Sequence, residues 1–223
     1  MPLIKSPFIA LFTKHFSFGI YCFVFIFSQS VLANNEAIKE APKENSKEIS
    51  KDIPRAEILK VDVLGVYFTP PTGAAKELIR YIDGAKKSIQ VQAYSFTYAM
   101  VAEALAKAAQ RGLVVQVIQD AKTAQNNTAV IGVLLQGGVL VRGDRAHAIA
   151  HNKVMVIDSE IVVTGSYNFT NSAETRNAEN LLILRSVQLA QQYSRNFTSH
   201  WEHSYPITKA SLEKSVSGFG AKP

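Results

Sequence analysis

Apolar and polar positions alternate along the chain with two different periods, and the switches between them predict its elements. Residues 61–68 read as a strand, and Pro70-Pro71-Thr72-Gly73 as a turn with Thr72 as candidate N-cap. Ala74, Ala75, Leu78, Ile79, Ile82 and Ala85 then recur with helical spacing. Residues 88–95 set Ile89, Val91 and Ala93 against Gln90, Gln92 and Tyr94, the alternation of a strand with two different faces. An alanine-rich helix over 101–110 is closed by Gly112, a strand follows over 114–119, and a helix over 129–136 ends at Gly137-Gly138. A short strand is expected over 139–141. Residues 153–157 and 161–164, joined by Asp158-Ser159-Glu160, form a hairpin-like pair. Residues 181–184 make another apolar strand, and 187–201 a terminal amphipathic helix. Strands interleaved with helices predict an α/β domain, a mixed β-sheet flanked by helices on both faces.

The N-terminal quarter departs from this pattern. Lys5 and Lys14, with His15, form a positive segment ahead of an apolar run over 16–27, and Val31-Leu32-Ala33 makes a cleavage site before Asn34. Residues 1–33 are therefore expected to be a signal peptide, cleaved after Ala33, which directs a secreted or periplasmic protein. The alternative is an N-terminal membrane anchor. Ser28-Gln29-Ser30 cuts the apolar run short of a bilayer span, so no stable span is expected in the mature form. Residues 34–55 alternate Glu36, Glu40, Glu44, Glu48 and Asp52 with Lys39, Lys43, Lys47, Lys51 and Arg55, with Pro42 and Pro54 among them. With no face to bury, this stretch reads as a charged flexible tether. The folded domain is expected over 56–205, with a disordered tail over 206–223.

Composition narrows the chemistry. The formal charge of the 223 residues is +6; without residues 1–33, whose charged side chains are Lys5 and Lys14, 22 of the 24 basic residues remain against 18 acidic ones, a net +4. That excess suits a polyanionic partner without requiring one. The single cysteine, Cys22, falls in the signal segment, and Gly19-Ile20-Tyr21 before it makes a poor lipobox. A cleaved chain would have no disulfide, no thiolate metal site and no cysteine nucleophile.

One stretch carries reactive groups at fixed spacing: His151-Asn152-Lys153, then Asp158, followed by Gly165-Ser166-Tyr167-Asn168. Strand alternation puts His151 and Lys153 on one face and Asp158 on the other, while Ser166 and Asn168 share a face. Such a set suits a phosphodiester. Lys153 and Asn168 can bind non-bridging oxygens, whose charge grows in a pentacoordinate transition state, and neutral His151 can attack phosphorus to give a phosphohistidine. In-line displacement then needs a second acid for the leaving oxygen. His147 is the other nearby histidine, but residues 147–150 bring no lysine or asparagine with it. The stretch occurs once, so the simplest second acid is His151 of an identical chain across a two-fold axis, in a homodimer.

The pattern H-x-K-x4-D followed by G-S-x-N resembles the signature of the phospholipase D superfamily. Residues 66–201 also resemble its short single-motif members, among them the bacterial EDTA-resistant endonuclease and small bacterial phospholipase D-like proteins. The resemblance rests on Ala93-Tyr94-Ser95-Phe96-Thr97, Ile149-Ala150-His151-Asn152-Lys153, residues 165–170 and Ala173-Glu174-Thr175-Arg176-Asn177-Ala178-Glu179-Asn180. It implies a metal-independent, two-step mechanism without cofactor, in a homodimer whose two copies of His151 serve as nucleophile and general acid. It further implies phosphate binding by Lys153, Ser166 and Asn168, and an acidic residue, Glu179, that orients the histidine. Asp158 matches the signature aspartate, though its parity and turn position suggest a structural role.

The expected function is hydrolysis of phosphodiesters, first as an endonuclease on DNA or RNA. The alternative is a phospholipase D releasing phosphatidic acid, and an inactive nucleic-acid-binding module ranks below both. Other residues have simpler readings. Ser166 and Asn168 could cap the following turn, and Glu174 rivals Glu179, either of which could pair with Arg176. His200 and His203, at i and i+3 without a third firm ligand, read as a surface feature, so no metal centre is expected. Tyr94, Phe96 and Tyr98 could line a groove and stack bases, with core packing expected for at least one.

Overall fold

A computed structural model describes residues 59–71 and 73–212. The stretches expected to be a signal peptide and a charged tether, and the candidate cap Thr72, lie outside the described residues. Eight strands form one sheet: β1 (Asp62–Thr69), β2 (Ser88–Ala93), β3 (Val114–Asp120), β4 (Leu140–Asp144), β5 (Lys153–Ile157), β6 (Ile161–Gly165), β7 (Glu179–Arg185) and β8 (Tyr205–Ile207). Their order is β1-β7-β6-β5-β2-β3-β4-β8. The pairs β2–β3 and β3–β4 are parallel and every other pair is antiparallel, so the sheet is mixed.

Alternation along the strands sorts side chains into two layers. Ile89, Val91, Val115, Val117, Met155, Ile157, Val163 and Ile183 face helices α1 (Ala74–Gly84), α2 (Ala99–Gln110) and α4 (Thr128–Gln136), burying Leu78, Ile82, Leu105, Ile131 and Leu134 against them. On the other face Val154, Val156 and Val162 pack on Ala190 of helix α6 (Val187–His203). Helices thus cover both faces, as strands of this pattern require.

Three short elements escape the periodic pattern because each spans too few residues to show a period. Helix α3 (Ala121–Asn126) is capped by Asp120, whose Oδ1 accepts from Lys122 N at 3.1 Å and Thr123 N at 3.0 Å. Helix α5 (Asn171–Thr175) is capped by Thr170. Strand β8 pairs with β4 through Val141↔Ile207, and Ile207 joins the core. The expected disordered tail therefore starts too early at 206: Pro206 and Ile207 are strand, and Leu212 packs on the core. Residues 213–223 lie outside the described residues. Among the described residues no helix is long and apolar enough to cross a membrane.

Asp158 sits in the β5–β6 turn with φ 54°, followed by Ser159 at φ 58°. Two successive positive φ values fit the primed turn that a tight antiparallel hairpin prefers. Its carboxylate accepts from Lys86 N at 2.8 Å, Lys87 N at 2.7 Å and Ser88 N at 3.1 Å, tying the hairpin to the start of β2. Burial opposes its ionisation, but these amides and the charge of Lys87 outweigh that and hold the carboxyl below its ordinary range. A carboxyl depressed on folding stabilises above its unfolded pKa, and that stability is lost as pH falls through the folded value. Asp158→Ala should therefore cost about 2 kcal/mol at neutral pH. The difference from wild type should shrink in acid, as checked by urea denaturation at both pH values.

Candidate active site

Four strand ends meet at one end of the sheet. Ala93 at the end of β2 pairs with Lys153 at the start of β5, and Tyr94 N donates to Asn152 O at 2.8 Å. Val154 pairs with Thr164 near the end of β6, and Gly165 with Leu181 of β7. Because β2 and β3 run parallel, this is also the end where β3 delivers Asp120. Carboxyl ends of parallel strands are where α/β sheets commonly place their sites.

His151 precedes β5 rather than lying in it, so strand parity does not govern its direction. Its exposed ring instead packs against Tyr94, with centroids 4.6 Å apart and the planes tilted by 57°. Lys153 reaches the same place from within β5: its Nζ lies 5.1 Å from the Tyr94 ring centroid and donates to His151 O at 2.8 Å. Lys153 is 8% exposed, and burial pushes its ammonium below the ordinary lysine range, opposed by the negative charge of Glu179. Imidazole, ammonium and carboxylate thus share one small region. A partly dehydrated ammonium pulls harder on an anion than a solvated one does.

The segment leading to His151 is fastened from below. Asp120 Oδ2 accepts from Ala150 N at 3.1 Å while its Oδ1 caps α3. The Thr123 hydroxyl, one turn into α3, donates to Tyr94 O. One buried aspartate therefore sets both the residue before His151 and the helix that supports Tyr94.

Ser166 and Glu179 form the opposite wall. Ser166 Oγ donates to Glu179 Oε2 at 2.6 Å and accepts from Asn180 N at 3.1 Å. Asn177 Nδ2 donates to Glu179 Oε1 at 3.0 Å. The partners of Glu179 are thus Ser166 and Asn177, and no hydrogen bond joins it to His151 among the described residues, in contrast to the orienting role expected for it. Ser166 does not cap the turn that follows; Thr170 does, accepting from Ala173 N at 3.1 Å. Asn168 is half-buried, and its Oδ1 is enclosed without a partner among the described residues. Gly165 is required here: at φ 150° a Cβ would stand 2.2 Å from Asn180 O. The glycine lets β6 approach β7 closely enough for Ser166 to meet Glu179.

Glu174 plays a different part. Buried at 6% exposure, it accepts from Gly73 N at 2.6 Å, Ala75 N at 3.0 Å and Tyr167 Oη at 2.8 Å. It satisfies the first amides of α1, a task the sequence pattern gave to Thr72. Burial and the bond to Glu174 push the Tyr167 phenol far above its ordinary range. Of the three aromatics, Phe96 is core, edge-on to Phe169 at 5.6 Å, and Tyr94 and Tyr98 are half-buried.

His147 does not face His151. It meets His200 and His203 at Asp144, so the pair expected as a surface feature has two further partners. Burial opposes ionisation of Asp144, but bonds from His200, His203, His147 and Ala146 N hold its carboxyl well below the usual range. Sequence spacing held a trace of this cluster in Asp-x2-His and His-x2-His. Fifty-six positions separate Asp144 from His200, however, and only the sheet topology joins them.

Residues 78–201 match the family model described as "Cardiolipin synthase, PLD-like domain". The chain is 38% identical over 142 residues to a Rickettsia felis protein named phospholipase D, covering 64% of this chain and 70% of that one. It is 30% identical over 152 residues to the mitochondrial cardiolipin hydrolase of Canis lupus familiaris, spanning 64% of this chain and 60% of that protein. In structure it is similar to Nuc, a phospholipase D family member from Salmonella typhimurium. The TM-score is 0.64 at 31% identity, over 67% of this chain and all of that one.

Proposed function

Because the chain belongs to the phospholipase D-like family and is a phosphodiester hydrolase, we propose that it works without a catalytic metal, through a phosphohistidine on His151, in a homodimer. The observation that carries this reading is the convergence of His151 and Lys153 on Tyr94, beside the Ser166–Glu179 pair. The neutral imidazole of His151 attacks phosphorus, and the P–N bond forms as the bond to the leaving oxygen breaks. Lys153 and the carboxamide of Asn168 take the charge that grows on the non-bridging oxygens. The leaving oxygen receives its proton from the protonated His151 of a second chain. That imidazole, now neutral, takes a proton from water as the water oxygen attacks phosphorus, and the P–N bond breaks to restore both rings. Ser166 keeps Glu179 beside Lys153.

His147 is engaged by Asp144, which disfavours it as the acid. Among the described residues no other histidine remains beside His151, since His200 and His203 share that carboxylate. Among the described residues, the histidines and carboxylate that could gather a metal are Asp144, His147, His200 and His203, a group apart from His151. The signal peptide, the tether and export remain part of the same reading.

For substrate, nucleic acid ranks first, because an exposed nucleophile beside a half-buried tyrosine, on a chain of net positive charge, suits a polyanionic backbone with bases to stack. A phospholipid is the second reading. It is favoured by the names of the curated relatives and by Ile149, which is 56% exposed two residues before His151. The full-length chain incubated in excess EDTA with plasmid DNA, and separately with phosphatidylcholine or cardiolipin vesicles, tests both. Cleavage of DNA under chelation is expected. Cleavage of lipid alone reverses the ranking, and loss of all cleavage that added magnesium(II) or calcium(II) restores contradicts the metal-free mechanism.

A further inference from the structure

Three of the five histidines meet at one carboxylate away from the reacting residues. Asp144 ends β4 with a side chain wholly removed from solvent. Its Oδ2 lies 2.9 Å from His200 Nδ1, 3.0 Å from His147 Nδ1 and 3.2 Å from His203 Nε2, whereas Oδ1 accepts from Ala146 N at 2.9 Å. A carboxylate spreads its acceptor sites over two oxygens, so three rings on one oxygen crowd it. The rings also crowd one another: His147 stacks on His200 with centroids 4.7 Å apart, and His203 lies 5.2 Å from each. Hydrogen bonding alone gives little reason to gather three imidazoles so tightly. A cation among the three nitrogens and the oxygen would satisfy all four lone pairs together.

We propose that Asp144, His147, His200 and His203 form a structural zinc(II) site. Tetrahedral zinc, with bonds of about 2.0–2.2 Å, sets its ligand atoms roughly 3.3–3.5 Å apart. The distances at Asp144 fall just inside that spacing, and all four ligand atoms lie within 4.8 Å of one another, so small side-chain shifts admit the ion. Three imidazoles with one carboxylate favour a borderline-soft divalent metal over calcium or magnesium, which take oxygen ligands. Four protein ligands fill a tetrahedron and leave no open position for substrate, which makes the site structural rather than catalytic. Its placement gives it a task. Asp144 and His147 begin the segment between β4 and β5 that carries His151, and His200 and His203 lie in the last turn of α6. The ion would clamp the start of that segment to α6, while Asp120 holds its far end through Ala150.

The full-length chain, stripped with EDTA and dialysed, should bind one zinc(II) per chain in competition with a colorimetric chelator. Zinc should raise its melting midpoint, and cobalt(II) in its place should give the intense visible bands of a tetrahedral centre. His147→Gln and His203→Gln alter side chains that are 45% and 33% exposed, so both variants should fold. Loss of an outer-shell partner alone commonly weakens a metal site about 10–100-fold, so each variant should lose at least about tenfold in zinc affinity. His151→Gln should keep full affinity. Wild-type affinity no better than that of the His147→Gln, His203→Gln double variant, or a weak octahedral cobalt spectrum, would overturn the proposal.

Discussion

Replacing His151 by alanine should leave the fold intact and lower turnover by about 10⁴-fold or more, the scale on which loss of a covalent nucleophile is felt. The two effects separate because the ring is exposed and its packing contact is the face of Tyr94. Its removal creates no cavity, and exposed substitutions usually stay within about 0.5 kcal/mol. The backbone carbonyl of His151, which accepts from Lys153, survives the change. Single-turnover assays with urea denaturation of the same sample read both quantities. Near-normal rates in a folded variant would remove His151 as the nucleophile.

Lys153→Met should lower turnover by about 10²–10³-fold, the usual effect of losing one group aimed at developing charge. Stability should move the other way or hardly at all. Burial pushes the ammonium below its ordinary range, opposed by Glu179, so the folded chain disfavours the charged form. A base whose pKa falls on folding destabilises the fold while charged, and that cost is relieved as pH rises from the folded value to the unfolded one. Methionine, of similar length, removes the buried charge and loses one bond to a carbonyl. The midpoint should stay within about 1 kcal/mol of wild type at neutral pH. A cation kept at some cost to the fold is what a phosphate-binding role predicts. A variant that keeps its turnover but melts far earlier would make Lys153 structural instead.

Much of this architecture was legible in the chain. The apolar alternation of β2 and the hairpin of β5 and β6 were readable because one face of each strand meets a helix layer and the other meets α6 or solvent. What stayed hidden was long-range. Glu174 caps α1 across about a hundred positions, and a neighbouring carboxylate, Glu179, looked equally free to do other work. His200 and His203 looked like surface side chains because their partners, Asp144 and His147, arrive on another strand end. At the site, spacing grouped His151, Lys153, Ser166 and Asn168 as candidates, and the fold brings His151 and Lys153 together on Tyr94. Spacing could not show that His151 leaves the strand and leans on Tyr94, since alternation applies only inside a ladder. Nor could it foresee that Glu179 turns to Ser166 and Asn177.

The central claim is that one catalytic site needs His151 from two chains. The measurement is the activity of wild-type and His151→Ala chains unfolded together, refolded at fixed total concentration and mixed in varied proportion. A mixed dimer has one imidazole, which cannot be both nucleophile and leaving-group acid, so activity should follow the square of the wild-type fraction. One part wild type in ten should retain about 1% of full activity, the share of dimers with two intact copies in an isologous pair. Activity falling in simple proportion, to about 10% at that mixture, would mean that each chain works alone and would contradict the shared site.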